Sequence, residues 1–292
     1  MFKILFSNKI KFELLESPTD KYNNVYQFIG MVLFVKNLKV KKIEIASENK
    51  EVILAYKEQM LKLADVDVTY KKELLKNKTL YKILSLDEKQ NIKLLEYIAT
   101  IYNKKMPKNH LNSFIRGSFI ACGYIANPKN KYYLEFNLPN KALTNILNKY
   151  LKISGFMLKY KTINGKHILY FTNSDLIEDF LTYIGATKSS LEIMNIKVYK
   201  DLRNKVNRLV NCETSNINKI VSASSYQIKC INKIIEKKGL NYLDDNLKVV
   251  ALKRLNNPQM PLSELILTLP FNISKSGLNH RLKKIEKIAE DI

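Results

Sequence analysis

The stretch FIRGSFIACG, residues 114–123, is an apolar run that carries two glycines six positions apart and one arginine. Glycine costs about 1 kcal/mol relative to alanine in the interior of a helix, so two glycines in one run require an explanation. The run could be a membrane segment, an ordinary core helix or the remnant of an active site. These alternatives lead to different folds for the first half of the chain.

The rest of the sequence argues against a membrane segment. No stretch approaches the roughly 20 consecutive apolar residues that span a bilayer, and residues 1–16 alternate charged with apolar residues without a signal-peptide cleavage pattern. The cysteines Cys122, Cys212 and Cys230 cannot all pair, and like the scattered histidines they lack metal-site spacing. We therefore expect a cytoplasmic protein with no membrane partner, metal or cofactor.

The charge of the chain points to a polyanionic partner. Among 292 residues, 49 are basic and 27 are acidic, a net charge of +22 that is typical of nucleic-acid binding. Compositional drift explains lysine in place of arginine, but it does not explain the shortage of acids. Only five basic residues are arginine, and four of these follow residue 200. A planar guanidinium with several donors is therefore expected to matter most in the C-terminal third.

The first 190 residues contain an internal repeat, which accounts for part of the pattern in this stretch. FIGMVLFVKN (28–37) parallels IRGSFIACGY (115–124), with Gly30 matching Gly117. IEIASENK (43–50) likewise parallels LEFNLPNK (134–141), and both enter a helical pattern. The sequence thus predicts the unit αββαββα written twice, over about residues 22–104 and 110–190.

Alternation of apolar and polar residues indicates the remaining strands of each copy. The predicted strands are VDVTYKK (66–72) and LYKILS (80–85) in the first copy, and FMLKYKT (156–162) and HILYFTN (167–173) in the second. Each copy closes on a similar helix, containing LEYIA (95–99) or LTYIG (181–185). The N-P-K-N sequence at 127–130 indicates a hairpin turn, for which KVKK (39–42) leaves less room in the first copy.

Two such copies, each opened by an apolar helix with a glycine, resemble the LAGLIDADG homing endonucleases. The resemblance implies that the opening helices pack together at a seam, where glycine allows their backbones to approach closely. It also implies an acid at the foot of each opening helix, to bind a divalent metal. Aligned on the glycines, those positions are Val35 and Cys122, and neither 21–43 nor 101–134 contains an acid. We therefore expect a nuclease scaffold without catalytic residues.

The pattern changes at residue 195. Residues 194–238 are predicted to form basic linker helices, with ten basic and three acidic side chains over 195–238. Val198, Leu202, Val206, Leu209 and Val210 share one helical face. The opposite face is rich in Lys, Arg and Asn, which suits phosphates and base edges, although a solvated surface would look similar. The DNA-binding candidates here are Arg203, Lys205, Asn207, Arg208 and Asn211.

Three segments make a more specific match. RNKVNRLVNCETSNINK (203–219), SKSGLNHRL (274–282) and FIRGSFIACGYI (114–125) closely resemble the WhiA family of bacterial transcription regulators, which is tied to cell division and, in some groups, sporulation. The resemblance implies a degenerate LAGLIDADG-like domain at 1–193 and a helix-turn-helix domain at 239–292 that binds DNA without cutting it. The lysine-rich composition and the short first-copy hairpin depart from typical members.

Residues 239–292 show the pattern of a helix-turn-helix, which many three-helix bundles share. Helices are predicted over 243–257, 261–269 and from Ser274, the expected N-cap of the last helix. Its core face would hold Leu278, Leu282, Ile285 and Ala289, and its other face would enter the major groove. The candidate DNA contacts are Lys275, Ser276, Asn279, His280, Arg281 and Lys283, with Asn279 suited to an adenine edge and Arg281 to a phosphate or carboxylate.

The sequence therefore predicts an α+β protein, in which a pseudo-two-fold αββαββα repeat domain precedes an all-α helix-turn-helix domain. The predicted function is a sequence-specific transcription regulator that is linked to cell division and is not an enzyme. Its predicted partner is double-stranded promoter DNA, so the cytoplasmic protein is expected to be associated with the nucleoid. A protein partner of the N-terminal domain is a further expectation. The alternatives are a nonspecific chromosome-associated protein and an active homing endonuclease.

Overall fold

The computed structural model describes residues 5–18, 20–35, 37–75, 78–103 and 106–292. Contacts divide the chain into two units, Met1–Lys200 and Asp201–Ile292. The first is mixed α and β, and the second is helical, which confirms the predicted fold class. Within the described ranges, no helix combines the length and the apolar composition needed to cross a membrane.

The first unit contains the predicted repeat in the predicted order. After α1 (Phe6–Glu16), the first copy comprises α2 (Lys21–Leu33), β1 (Asn37–Lys39), β2 (Lys42–Ser47), α3 (Lys50–Ala64), β3 (Tyr70–Leu75), β4 (Lys78–Ser85) and α4 (Glu88–Tyr102). The second copy comprises α5 (Leu111–Cys122), β5 (Gly123–Ile125), β6 (Leu134–Leu138), α6 (Lys141–Ile153), β7 (Lys159–Ile163), β8 (Lys166–Phe171) and α7 (Ser174–Tyr183).

Each copy forms one antiparallel sheet with the same strand order. The first sheet runs β1-β2-β4-β3 and the second sheet β5-β6-β8-β7. Their registers also correspond, since Ile45 pairs with Ile83 in the first sheet and Phe136 with Leu169 in the second. All four of these side chains are buried in the core. The two copies are therefore equivalent residue by residue around their central strands.

The seam between the copies is as close as the two glycines predicted. Helices α2 and α5 pack directly against each other. A Cβ atom on Gly30 would lie 2.1 Å from the Phe114 carbonyl oxygen, and one on Gly117 would lie 1.9 Å from that of Gln27. Real Cβ contacts are never so short, so each glycine permits the approach of the facing backbone. The interpretation of FIRGSFIACG as a packed core helix is confirmed.

Several local predictions differ from the structure. Strands β3 and β7 begin at Tyr70 and Lys159, three or four residues later than expected, because Val66, Val68 and Phe156 are buried without joining a sheet ladder. Their apolar spacing reflects burial and not strand pairing. The turn at 127–130 does join β5 to β6, closed by a 3.0 Å bond from the Asn130 N–H to the Asn127 carbonyl. Helix α1 was not predicted.

The second unit is built on a long helix. Its elements are α8 (Thr187–Lys238), which begins in the first unit, α9 (Asp245–Asn256), α10 (Leu262–Leu265) and α11 (Lys275–Glu290). The segment predicted as linker helices is thus part of one 52-residue helix, and the predicted boundary at 193 lies inside it. Cys230, Ile231 and Ile234 of α8 join the core of the second unit. The helix-turn-helix therefore includes the end of α8.

Candidate nucleic-acid interface

Helix α11 is fixed at its start and along one face. The Ser274 side chain accepts a 3.1 Å hydrogen bond from the Gly277 N–H, which confirms the predicted N-cap. Gly277 also allows close packing, because a Cβ there would lie 2.8 Å from Ile273 Cγ1. The buried side of α11 carries the four predicted core residues, Leu278, Leu282, Ile285 and Ala289. The opposite side is consequently held in a defined orientation toward solvent.

Three predicted contact residues share that exposed side. Ser276, His280 and Lys283 follow one another at spacings of four and three residues, so they lie on one helical face, and all three are exposed. Lys275, also exposed, occupies the first position of the helix. Asn279 lies at the edge of this face and is half-buried. The structure thus places Lys275, Ser276, Asn279, His280 and Lys283 on one continuous surface.

Arg281 lies apart from that surface. Its guanidinium group sits 4.7 Å from the centre of the Phe271 ring, in the turn that precedes α11. Positive charge from Arg281 also helps to lower the pKa of Asp244, after the larger effect of a hydrogen bond from the Leu247 N–H. Arg281 therefore packs against its own unit, at the flank of α11.

One exposed lysine was missed by the sequence reasoning. Lys287 lies four residues after Lys283 and extends the row of Ser276, His280 and Lys283 by one turn. The signal was present in the sequence as helical spacing, but the predicted face stopped at Lys283. Lys284, the residue after Lys283, forms an ion pair with Asp244 at 3.3 Å and therefore has its partner within the second unit. Four exposed positions therefore line the outward face of α11.

The α8 candidates are all exposed, as is every residue from 201 to 219. Helical spacing puts Asn207, Arg208 and Asn211 on the polar side of α8. Arg203 and Lys205 instead border the apolar stripe that includes Leu202 and is itself exposed. The five candidates thus form a polar face and its two edges, and they do not converge on one point.

Val35 and Cys122 lie where the resemblance placed them, at the feet of α2 and α5. Both line one cavity of about 470 Å³, which also includes Tyr56. Burial raises the pKa of the Cys122 thiol to about 12, and the positive charge of nearby Lys11 opposes part of this change. The thiol donates to the Ser118 carbonyl oxygen at 3.2 Å. Cys122 is partly buried and packs against the core at the wall of this cavity.

Glu44 is the one carboxylate among the described residues that line this cavity, and it was missed because it lies just beyond the segment searched for acids. Lys42 lies 2.8 Å from it, and this contact is the main reason that its pKa is lowered. Asn37 donates a further bond of 3.2 Å. Across the described part of the chain, no group of three or more His, Cys, Asp or Glu side chains is placed to hold a metal ion.

A glycine seam between two αββαββα copies, joined to a capped helix-turn-helix, defines a LAGLIDADG-like scaffold carrying a DNA-binding module. Comparison with known protein families supports this assignment. The model of the WhiA LAGLIDADG-like domain matches residues 111–203, and that of the WhiA C-terminal HTH domain matches residues 206–289. The chain belongs to the WhiA family.

Individual WhiA proteins match a longer part of the chain than either family model does. The probable cell division protein WhiA of Carboxydothermus hydrogenoformans is 42% identical over 209 residues, which are 71% of this chain and 65% of that protein. The protein of the same name from Caldicellulosiruptor saccharolyticus is 35% identical over 243 residues, 77% of this chain and 74% of that protein. The crystal structure of full-length DUF199/WhiA from Thermatoga maritima is similar with a TM-score of 0.58 and 27% identity, and the match covers 99% of each chain.

Proposed function

We propose that this chain is a sequence-specific regulator of transcription that binds promoter DNA through α11 and does not cut it. The observation that carries the proposal is the outward row of Ser276, His280, Lys283 and Lys287 on a helix that is capped at Ser274 and packed along its other side. A helix presented in this way fits the major groove, where short polar side chains reach base edges and lysines reach phosphates.

In this proposal the residues on the DNA-facing surface have different roles in binding. Asn279, at the edge of the row, has an amide that can pair with an adenine edge, which gives sequence choice. Lys283 and Lys287 supply charge, which strengthens binding to any sequence. The exposed Arg203, Lys205, Asn207, Arg208 and Asn211 of α8 provide further phosphate contacts. Arg281, stacked on Phe271, supports the turn.

The absence of cleavage is part of the proposal. A Mg²⁺ ion at a scissile phosphate needs several oxygen ligands. At the feet of the seam helices the chain offers Val35 and Cys122, and the carboxylate of Glu44 is already held by Lys42. Because relatives are named probable cell division protein WhiA, we further propose that the regulated genes serve cell division, with the protein acting on the chromosome in the cytoplasm.

Two substitutions in α11 test the separate roles of Asn279 in sequence choice and of Lys283 in phosphate binding. Lys283→Ala should weaken binding to all duplex DNA and reduce the salt dependence by about one unit of slope, because one phosphate contact is lost. Asn279→Ala should cost roughly 1–3 kcal/mol on the preferred sequence only. Lys238→Ala, which removes the same charge from the end of α8, is the matched control and should change little. Binding is measured by fluorescence anisotropy over a salt series.

If Asn279→Ala and Lys283→Ala both left specific affinity unchanged, α11 would not be the reading element. Equal losses for Lys283→Ala and Lys238→Ala would instead favour the alternative of nonspecific, charge-driven binding to the chromosome.

A further inference from the structure

The outer face of the second sheet carries a cluster of tyrosines and lysines. The Tyr133 and Tyr170 rings lie 5.8 Å apart. The Lys161 amine is 4.5 Å from the centre of the Tyr170 ring and 5.2 Å from that of the Tyr133 ring. The Lys131 amine is 4.8 Å from the centre of the Tyr133 ring. The Tyr133 hydroxyl donates to Glu135 and accepts a 3.0 Å bond from Lys161. The cluster is therefore ordered by its own contacts.

Strand register shows that this cluster points away from the core. Glu135 pairs with Tyr170, so the two share a face, whereas the next pair, Phe136 with Leu169, is fully buried. Lys159 also pairs with Tyr170. With Lys131, Lys161 and Lys166 on or beside these strands, four lysines accompany one carboxylate, Glu135. The face is thus positive and aromatic.

The first sheet provides an internal comparison, because its register is equivalent. Glu44 pairs with Leu84 where Glu135 pairs with Tyr170, so leucine replaces the central tyrosine. Lys42 occupies the position of Tyr133 and forms an ion pair with Glu44 at 2.8 Å. A second ion pair, between Lys82 and Glu73, neutralises the same face. One sheet is therefore ion-paired and aliphatic where the other is cationic and aromatic, so the cluster does not follow from the fold alone.

We propose that the outer face of the second sheet binds single-stranded nucleic acid, with unpaired bases stacking on Tyr133 and Tyr170 and with Lys131 and Lys161 contacting phosphates. Tyr133 and Tyr170 are half-buried, and a tyrosine ring at the surface of an open sheet is a stacking platform for a base whose own faces are free. The bases of a duplex are already stacked on each other, so we do not expect them to stack on these rings. In this proposal Lys131 and Lys161, whose amines lie over the ring faces in the free chain, move aside toward the phosphates when a base stacks.

The test uses the full chain with fluorescein-labelled oligothymidylate, oligouridylate and a duplex, each of about twelve nucleotides, a length within the usual range for such surfaces. Tyr170→Leu and Lys161→Ala should each weaken single-strand binding by about tenfold, as expected for the loss of one stacking or phosphate contact. The matched controls are Leu84→Ala and Lys71→Ala, the equivalent positions on the first sheet, and they should change it by less than about twofold. Duplex binding, which we assign to α11, should stay unchanged in all four variants.

Tyr170→Phe keeps the ring, so it should bind as the unmodified chain does, which separates stacking from any folding defect in Tyr170→Leu. The relative affinity for oligothymidylate and oligouridylate identifies whether DNA or RNA strands are preferred. Equal losses for Lys161→Ala and Lys71→Ala would overturn the proposal in favour of diffuse charge. So would a parallel loss of duplex binding, or no single-strand binding by the unmodified chain. A parallel loss of duplex binding would also show that duplex binding is not confined to α11, whereas the other two results would leave the role proposed for α11 unaffected.

Discussion

Buried arginines hold parts of each unit together. Arg116 in the seam helix α5 donates to the carbonyl oxygens of Leu14 and Ser17, and burial lowers its pKa. Arg254, only 2% exposed, donates to the Met260 carbonyl at 2.7 Å. At both positions the bonds to backbone carbonyls come from one terminal nitrogen of the guanidinium, Nη2 of Arg116 and Nη1 of Arg254. Both guanidinium groups are buried and bind backbone carbonyls within their own unit. Residue type alone could not reveal this, because it does not report burial.

The seam glycines allow a direct steric test. Gly30→Ala should lower the free energy of unfolding by about 2 kcal/mol or more, because the new Cβ would overlap the Phe114 carbonyl oxygen and force α2 and α5 apart. Gly155→Ala is the control, since its surroundings are open and only its positive φ of 89° opposes alanine, at about 1 kcal/mol. Urea unfolding followed by circular dichroism measures both. Equal costs would mean that the helices are not in close contact.

The three cysteines should differ in reactivity. Burial raises the pKa of the Cys122 thiol to about 12 and also raises that of Cys230, so both hold little reactive thiolate near neutral pH. Cys212 is exposed on α8. At about pH 8, a thiol-disulfide reagent should modify Cys212 at least about tenfold faster than the others. Mass spectrometry of digested protein identifies the site, and a fast phase that persisted in Cys212→Ser would show that partly buried Cys122 or buried Cys230 is reactive, against this prediction.

At the scale of elements, the start of α8 is tied to α1 through Glu13. Its carboxylate accepts the backbone N–H groups of Lys188 and Ser189 at 2.7 and 3.0 Å, and also the Ser189 hydroxyl. A carboxylate at this end of a helix satisfies otherwise unpaired donors and interacts favourably with the helix dipole. Glu13 thereby fixes where the long helix begins.

Removing this carboxylate should loosen the first turn of α8. Glu13→Ala should destabilise the first unit by about 1–2 kcal/mol, the usual cost of a lost N-terminal cap. The amides of Lys188 and Ser189 should also exchange faster with deuterium. Glu16→Ala changes an exposed acid on the same helix and should have little effect in either measurement. Unchanged exchange at both amides would show that Glu13 is not the cap.

The order of elements in the repeat could be predicted because paired glycines and alternating apolar residues are local signals that the fold uses twice. Strand starts could not, because Val66 and Val68 are buried by the core while they remain outside the ladder. Likewise, the outward face of α11 could be predicted from helical spacing as far as Lys283. The stacking of Arg281 on Phe271 depends on the conformation of the turn, which spacing does not specify.

At the scale of the whole molecule, a net charge of +22 draws the chain to any polyanion, and the proposed reading by α11 must appear above that background. A specific regulator and a nonspecific coating protein share the steep salt dependence. They differ in whether a few sequences are preferred. An endonuclease would differ from both by leaving new ends on its DNA.

The most direct test is to retain sheared genomic DNA from the source organism on the 292-residue chain with Mg²⁺ present, and to sequence the retained fragments and their ends. We predict intact fragments concentrated at a small set of promoters, with the enrichment reduced by Asn279→Ala. An even distribution across the genome would contradict sequence-specific binding. New ends at defined sites would contradict the proposal that the chain binds DNA without cutting it.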